Sequence, residues 1–481
     1  MQPATSFAAL LTAAGRAADR SGEDGVLSLA LPLPCLDPLT VLRRLADEEE
    51  FRFLWDGTPG LCIAAAGRCQ HLELSGPRRF ELARRFSQLC LTRLTAMDPH
   101  PQPLARPRVL LAFSFFEGPL EEENGVPGLQ AVLPRWQLSR HGRHCWLRLQ
   151  RTLGGGVTAR SMAEELWQKG EELAAAGGRA PAFRRGPAEP LAGRTDVGAD
   201  GWQRGYRQAV ARALELVEAG ELRKLVLAVR QDLRLPQRLD PLTLLAQLRL
   251  SQPGSCRFLW QPTAAEALLG ASPERLLTVR QGRLRCDALA GTAAVRGIDG
   301  GDAASDLLSS GKDRHEHELV VEAISRALRK RGLSPRQPRH PRLARHGGLL
   351  HLHTPITAEL RGRHPLVLAE ALHPTPAVAG LPRRQAMAWL RSLEPFDRGN
   401  YAAPIGWIDS HGDIDLRVAI RSGRLRGGRL ELTAGAGLVR GSHPERELRE
   451  VGLKLDVLRQ QLNLACRAGS GDQAARSRAI V

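Results

Sequence analysis

No apolar run in the 481-residue sequence reaches the length of about 18 residues that a membrane-spanning helix requires. Its eight cysteines never form a CxxC pair, and their spacings match no zinc site. The N-terminal residues have no basic segment ahead of an apolar one, so we expect no secretory signal. These absences together predict a cytoplasmic protein with reduced thiols.

Acidic residues are too few to balance the basic ones, which leaves a formal net charge of +17. The basic residues are spread along the whole chain with acids between them, and no basic strand is interleaved with aromatic residues. A general positive field increases the encounter rate of a small anionic substrate. Such a field is compatible with a small anionic substrate, and we expect neither nucleic acid nor a membrane as a partner.

Lysine is rare, with five residues among the 68 basic ones, so this chain uses arginine almost everywhere. An ammonium group can lose its proton inside a protein, whereas a guanidinium group cannot. Each remaining lysine is therefore a candidate for chemistry, and the candidates are Lys169, Lys224, Lys312, Lys330 and Lys454.

Two segments of the chain repeat each other at an offset of 205 residues. They are FRFLWDGTPGLCIAAAGRCQHL over 51–72 and CRFLWQPTAAEALLGASPERLL over 256–277, and the motif LDPLT also occurs twice. Self-similarity at this scale predicts two related halves, since a solenoid would repeat every 20–50 residues or so. Cys69 of the first copy aligns with Glu274 of the second. We therefore predict that the second half performs the chemistry and the first half supports it.

Long hairpin-linked strands alternate with short helices in the second half, which favours an α+β domain over a doubly wound parallel sheet. We expect LRVAIRSGRL to form one strand, and helices to begin near Lys312 and Pro444. The predicted organisation is a first half over 1–177, a connector rich in Gly, Pro and Arg over 178–204, a second half over 205–466 and a disordered tail over 467–481.

Two predicted helices carry carboxylates next to apolar residues. Glu316 begins an apolar stripe, where a lone carboxylate is unfavourable unless it is paired or binds a cation. Glu447, Glu450 and Lys454 share a stripe of the last helix. The alternatives are a solvated first-turn residue for Glu316 and an exposed Glu–Lys pair in the last helix. If instead the carboxylates converge, they would suit Mg²⁺, which binds few protein carboxylates and keeps several waters.

An acid and a base are also indicated in the second half. Lys224 begins the apolar segment LVLAV, where desolvation would favour the neutral amine that a general base requires. The alternative is a lysine that extends from the strand end towards water. Glu274 in SPER is the candidate acid, and the two groups on opposite sides of a substrate would form an addition–elimination pair.

A series of motifs in the second half resembles the chorismate-utilising enzymes, which include isochorismate, salicylate, anthranilate and aminodeoxychorismate synthases. In chain order they are KLVLAVR, ASPERL, LAGT, KDRHEHELV, LHPTPAVAG, EPFDRGNYAAPIGW, VAIR and AGAGLVRGSHPERELREVGLKL. The resemblance covers about 202–462. It implies a single large two-lobed α+β fold with layered antiparallel sheets and pseudo-duplicated halves.

The resemblance also implies roles for individual residues. Lys224 would activate water for attack at C2 of chorismate, and Glu274 would protonate the departing C4 hydroxyl. Glu316 and Glu450 would bind Mg²⁺, with Glu447 beside them. The residues expected to bind the substrate are Gly291, Thr292, Arg421, Gly437 and Lys454.

Two positions indicate which branch of the family the chain resembles. Amine-forming relatives usually have glutamine at the position of Lys224, so lysine points to water as the nucleophile and to no glutaminase subunit. Salicylate synthases typically carry threonine at the position of Ala377. The resemblance therefore implies an isochorismate synthase, with a salicylate synthase as the alternative. Tyr401 resembles the menaquinone-type enzymes, although the sequence leaves menaquinone, siderophore and salicylate pathways open.

Overall fold

The computed structural model describes residues 6–21, 25–47, 49–57, 60–97, 102–118, 125–154, 156–177, 201–235, 238–295 and 301–462. Most of the predicted connector, from 178 to 200, lies outside these residues, as does the whole predicted tail over 467–481. The first helix after this gap begins at Gly201, within the last four residues of the predicted connector.

The helices of the described residues are α1 Phe7–Arg20, α2 Pro38–Leu45, α3 Arg79–Thr92, α4 Ala159–Gly177, α5 Gly201–Glu218, α6 Pro241–Ser251, α7 Gly301–Ser309, α8 Gly311–Lys330, α9 Pro365–Leu372, α10 Arg383–Leu393 and α11 Pro444–Arg459. Within this part of the chain, no helix combines the length and the apolar character that crossing a membrane requires.

The strands are β1 Val26–Leu33, β2 Arg52–Asp56, β3 Cys62–Leu74, β4 Leu94–Met97, β5 Arg108–Phe113, β6 Leu129–His141, β7 His144–Thr152, β8 Lys224–Arg234, β9 Cys256–Thr263, β10 Glu266–Ser272, β11 Arg275–Arg280, β12 Arg283–Ala294, β13 Arg342–His346, β14 Leu349–Glu359, β15 Gly380–Leu381, β16 Pro404–Asp409, β17 Ile414–Val418, β18 Ser422–Arg426 and β19 Arg429–Leu438.

Strand pairing is antiparallel throughout the described residues except between β1 and β4. From β6, one series of paired strands runs through β3, β2, β9, β10, β18, β19 and β8 to β15. A second series runs from β6 through β5, β16, β17, β11, β12 and β14 to β13. Helices cover this antiparallel framework, which confirms the predicted α+β class.

The two RFLW repeats form adjacent strands. Strand β2 pairs antiparallel with β9, and Leu54 faces Leu259, its own counterpart at an offset of 205 residues. On either side of this position Phe53 faces Trp260 and Trp55 faces Phe258. The register is thus symmetric about the two leucines, as expected for an isologous contact between related halves. The repeat seen in the sequence is therefore also a structural repeat.

The LDPLT repeats form equivalent helix starts. Asp37 caps α2 and Asp240 caps α6, each accepting a hydrogen bond from the backbone N–H two residues on, with proline in the first turn. Each helix also reaches the other's cap, since Arg43 of α2 pairs with Asp240 and Nη1 of Arg249 of α6 lies 2.7 Å from Oδ2 of Asp37. These pairs hold the two halves together across the strand contact.

Two breaks in the second half depart from the predicted strands. The segment LRVAIRSGRL is two strands, β17 and β18, so the single strand predicted there was wrong. At this break Arg421 has a φ of 51°, in the left-handed region. A second break separates β10 from β11 at Glu274. Because β10 pairs with β18 and β11 with β17, the two breaks lie side by side in the sheet.

Candidate active site

A pocket opens where the two strand breaks meet. Its volume is about 690 Å³, including the open space at its entrance. Eight of the ten predicted site residues line it, namely Glu274, Gly291, Thr292, Glu316, Arg421, Gly437, Glu450 and Lys454. The other two, Lys224 and Glu447, are buried and do not line the pocket. Lys224 pairs with Glu316, and Glu447 pairs with Lys312. The described residues that line the pocket all come from the second half of the chain.

The base predicted from the sequence lies against a predicted metal carboxylate. Lys224 is the first residue of β8 and its side chain is fully buried, so the alternative of a lysine extending to water is wrong. Its Nζ lies 3.0 Å from Oε1 of Glu316 on α8. Burial raises the pKa of Glu316, but Lys224 and Lys312 outweigh that effect and hold it below its usual range.

The predicted acid, Glu274, occupies the break between β10 and β11. Its backbone N–H donates to the Ser272 hydroxyl, and its carbonyl accepts from the Val418 N–H at 3.1 Å. Burial raises the pKa of the carboxyl group to about 8, although Lys224 acts in the opposite direction. At neutral pH this group therefore carries a proton, as a general acid must.

Three lysine–carboxylate ion pairs form one wall of the pocket or lie directly behind it. Besides the Lys224 pair, Nζ of Lys312 lies 2.9 Å from Oε1 of Glu447 and Nζ of Lys454 lies 2.8 Å from Oε1 of Glu450. Lys454 also donates to the Gly435 carbonyl at 2.7 Å. The wall is thus built from oppositely charged pairs contributed by the β8, α8 and α11 elements.

Glu447 is the most unusual of these carboxylates. It is fully buried, and neither of its carboxylate oxygens has a hydrogen bond of acceptable geometry, although Lys312 is within ion-pair distance. Burial and the nearby Glu450 raise its pKa. A buried carboxylate with open lone pairs is a suitable partner for a cation.

The described residues contain no group of three or more His, Cys, Asp or Glu side chains already positioned around one metal position. Magnesium usually binds one or two protein carboxylates and completes its shell with waters and substrate oxygens. This ion would therefore find ligands of the type it prefers in the carboxylates of Glu316, Glu450 and Glu447.

Arg421 is positioned to receive an anion. Its left-handed backbone is held by the Ala271 N–H, which donates to the Arg421 carbonyl at 3.1 Å. One guanidinium nitrogen contacts Nε2 of His351, whereas Nη1 is buried without a hydrogen-bond partner. Burial lowers the arginine pKa to about 10, so the group remains charged at neutral pH. A buried and half-satisfied guanidinium suits a carboxylate ligand.

His351 lines the pocket but was not among the site residues predicted from the sequence. Its Nδ1 lies 3.0 Å from the Gly291 carbonyl and 3.3 Å from the Thr292 hydroxyl, so it connects the LAGT motif to Arg421. Burial and the adjacent Arg421 lower its pKa well below the usual range and keep the imidazole neutral. Its place on β14, next to β12, depends on a strand register that sequence spacing does not reveal.

Gly437 is required by close packing. A Cβ at this position would lie 2.1 Å from Oε1 of Glu316 and 3.1 Å from Cε of Lys224. Because Gly437 has no side chain, the Lys224–Glu316 pair can pack directly against strand β19. Gly291 has a φ of +72° and faces the side chain of Asp313, so it also satisfies a backbone requirement.

The fold and the pocket together define the class of enzyme to which the chain belongs. A family model described as "Chorismate binding enzyme" matches residues 10–463, and the chain belongs to that family.

Two relatives show which members of the family this chain resembles. The chain is 37% identical over 438 residues to the salicylate biosynthesis isochorismate synthase of Pseudomonas aeruginosa, which covers 89% of this chain and 88% of the relative. It is 39% identical over 256 residues to isochorismate synthase EntC of Escherichia coli, covering 53% of this chain and 66% of the relative.

A solved structure agrees with these relatives. The structure of MenF, the menaquinone-specific isochorismate synthase from Escherichia coli, superposes with a TM-score of 0.73 at 26% identity, and covers 94% of this chain and 100% of that one. The agreement supports the predicted family fold over nearly the whole length of the chain.

Proposed function

We propose that this protein is a Mg²⁺-dependent isochorismate synthase, which interconverts chorismate and isochorismate. Water adds at C2 of the ring, the double bonds shift, and the C4 hydroxyl departs as water. The observation that carries this proposal is the presence, at one pocket, of a buried lysine amine and a buried carboxyl group whose pKa is raised to about 8. The relatives named above are isochorismate synthases, which supports the same reaction.

Lys224 would act as the base. In its neutral form, the amine would accept a proton from the water that attacks C2, and the resulting ammonium group would pair with Glu316, whose Oε1 lies 3.0 Å from Nζ. Its burial excludes bulk water from the amine, so the attacking water would have to reach it through the pocket. The pairing with Glu316 fixes where Nζ lies in relation to that water.

Glu274 would act as the acid. Its carboxyl proton passes to the C4 oxygen as the C4–O bond breaks, so the leaving group is neutral water. One proton is thus taken up by Lys224 and one is given by Glu274 in each forward turnover. The reverse reaction exchanges these roles, which accounts for a reversible isomerisation without a redox cofactor.

The remaining pocket residues would bind the two carboxylates of the substrate. Arg421 offers a buried N–H group without a protein partner, and a guanidinium can bind a carboxylate through two parallel hydrogen bonds. Lys454 and the Thr292 hydroxyl line the same pocket. Glu316 and Glu450, with Glu447 beside them, would hold Mg²⁺. The ion, when bound, would neutralise the ring carboxylate of the substrate.

A salicylate synthase would use the same acid and base and then eliminate pyruvate. Ala377 lines the pocket, where the resemblance implies threonine in salicylate synthases. The proposal therefore ends at isochorismate. It also includes a cytoplasmic location and activity without a glutaminase subunit, because water replaces ammonia.

The proposal is tested by incubating the purified protein with chorismate, in the presence of Mg²⁺ or of EDTA, and separating the products. The expected result is isochorismate with Mg²⁺, approaching a constant ratio with chorismate, and no conversion with EDTA. Equal amounts of salicylate and pyruvate would instead assign the salicylate synthase reaction. No conversion under either condition would contradict the proposal.

A further inference from the structure

Lys312 occupies the position between the predicted metal carboxylates. Its Nζ lies 2.9 Å from Oε1 of Glu447 and 3.6 Å from Oε2 of Glu316. A third carboxylate, that of Asp313, is 3.8 Å away and is itself held by Arg446 at 2.9 Å. A single ammonium group therefore lies within ion-pair distance of two of the three carboxylates that would bind Mg²⁺.

The local structure does not favour a lysine at this position. Lys312 lies in the first turn of α8, where the partial positive charge of the helix N-terminus disfavours a cation. Its side chain is 12% exposed, so much of its hydration is lost as well. The surrounding carboxylates must therefore offset both effects, since no carbonyl acceptor for Lys312 is found among the described residues.

The net charge of the three lysine–carboxylate pairs bears on how a metal ion would bind. Counted in their ionised forms, Glu316, Glu447 and Glu450 balance Lys224, Lys312 and Lys454, so the wall is neutral without a metal. A divalent cation would add two positive charges at a partly buried site, where like charges repel strongly. A substrate with two carboxylates would bring two negative charges and restore neutrality.

The three lysines differ in how firmly they are held. Lys224 is fully buried, and Lys454 is held by both Glu450 and the Gly435 carbonyl. Lys312, at the beginning of a helix and 12% exposed, has carboxylates as its only acceptors among the described residues. Of the three, it is the lysine that can leave when a stronger cation takes its acceptors.

We propose that Lys312 is an internal counter-ion that Mg²⁺ must displace, which weakens metal binding to the free protein and couples it to binding of the dianionic substrate. This inference rests on the proposed function for its metal and substrate. It assigns to Lys312 a role in setting metal affinity that is separate from acid–base chemistry. Lys312 is thus a positioning residue for the metal carboxylates.

The test is calorimetric titration of EDTA-treated protein with MgCl₂ alone, comparing Lys312→Met with the parent. The matched control is Lys330→Met, which makes the same change at the exposed end of the same helix. We expect Lys312→Met to bind Mg²⁺ about tenfold more tightly, a typical size for coupling between sites. Lys330→Met should bind as the parent does.

A second titration measures the coupling to substrate. It is made with and without chorismate in a Glu274→Gln background, which is expected to slow turnover by about two decades or more and, because burial raises the pKa of Glu274 to about 8, to change the charge of the pocket little at neutral pH. Chorismate should increase Mg²⁺ affinity strongly when Lys312 is present and less when it is replaced by Met. Equal gains in the two proteins would overturn the coupling.

Thermal unfolding supplies an independent readout. In EDTA, Lys312→Met should melt below the parent because Glu447 loses its counter-ion, and MgCl₂ should raise its Tm by more than it raises that of the parent. If Lys312→Met does not fold, Lys312→Gln serves as the neutral variant. Unchanged or weaker Mg²⁺ binding by the neutral variant overturns the inference. That outcome, with Mg²⁺-dependent turnover of chorismate intact in the parent, leaves the proposed function standing.

Discussion

The ammonium group of Lys224 lies 3.0 Å from Oε1 of Glu316, and the lysine side chain is fully buried. The pair joins the predicted base to a predicted metal carboxylate, across the space left by Gly437. Binding of the metal and readiness of the base are therefore expected to be linked, because both draw on one carboxylate.

Replacement of Lys224 by Ala should reduce kcat by about two decades or more, since general-base catalysis typically contributes that much. The measurement is the rate of isochorismate formation with saturating Mg²⁺. Lys330→Ala, at the exposed end of α8, is the control and should retain the parent rate. Near-normal turnover by a folded Lys224→Ala protein would remove this residue from the mechanism.

Replacement of Glu274 by Gln should cost a similar factor and change the pH profile. The acid has a pKa of about 8, so the parent rate should fall as pH rises through that value and the acid loses its proton. Glutamine has no proton to lose, so the residual activity of the variant should lack this alkaline limb. An unchanged limb would assign the titration to another group.

The same raised pKa has a stability consequence that serves as a folding control. A carboxyl group with a raised pKa in the folded state stabilises the fold below its unfolded pKa, and that contribution is lost as pH rises through about 8. Between pH 6 and pH 9, Tm should therefore fall more for the parent than for Glu274→Gln. Parallel loss of Tm in the two proteins would contradict the assignment.

Gly437→Ala should reduce turnover by about a hundredfold, because displacement of a catalytic group by about 1 Å has effects of that size. The added methyl would overlap Glu316 and crowd Lys224. Gly452→Ala on α11, where a Cβ meets nothing within 4 Å, is the matched control and should be active. Steady-state kinetics of both variants, at matched helix content, checks the expectation.

Cys69→Ala should retain turnover. Cys69 aligns with Glu274 in the repeat, yet it lies at a register shift within the continuous strand β3, away from the residues that line the pocket. Burial raises the thiol pKa to about 11, so this cysteine is an unreactive thiol at neutral pH. Loss of activity in a folded variant would show that the first half contributes to the chemistry.

Asp56→Ala should destabilise the contact between the halves by about 3–5 kcal/mol, since removal of one partner leaves a buried charge unpaired. Asp56 is buried at the end of β2 and lies 2.9 Å from Nη2 of Arg257 and 2.6 Å from Nε of Arg249. Denaturant unfolding measures the difference. Asp232→Ala, at an exposed pair with Arg230, should change the free energy of unfolding by about 0–1 kcal/mol.

Local sequence patterns predicted much of the second half. The start of β8 at Lys224, the helix at Lys312 and the helix at Pro444 were found from apolar periodicity and capping residues, because these signals act within a few residues. Gln281 and Gly282, both with positive φ, form the turn between β11 and β12, which are two of the hairpin-linked strands expected in this half. The family resemblance supplied the residues of the site and their order along the chain.

Other features depended on contacts between distant segments. The segment LRVAIRSGRL has the pattern of one strand, but its pairing with β11 on one side and β10 on the other breaks it at Arg421. The role of His351 as the link between Gly291 and Arg421 depends on the register of β12 against β14. The burial of Glu447 on α11, with Leu453 of the same helix exposed, likewise depends on how this helix packs.

The related halves, the class of the fold and the charged residues of the site all follow from the order of amino acids along the chain. Repeats, periodicity and residue type are local properties, and each can be seen without knowing which strands are neighbours. The tertiary structure decided that each carboxylate of the wall faces its own lysine, and that Lys312 lies where a metal would bind. Those relationships arise from packing α8 and α11 against one sheet, which joins residues more than a hundred positions apart.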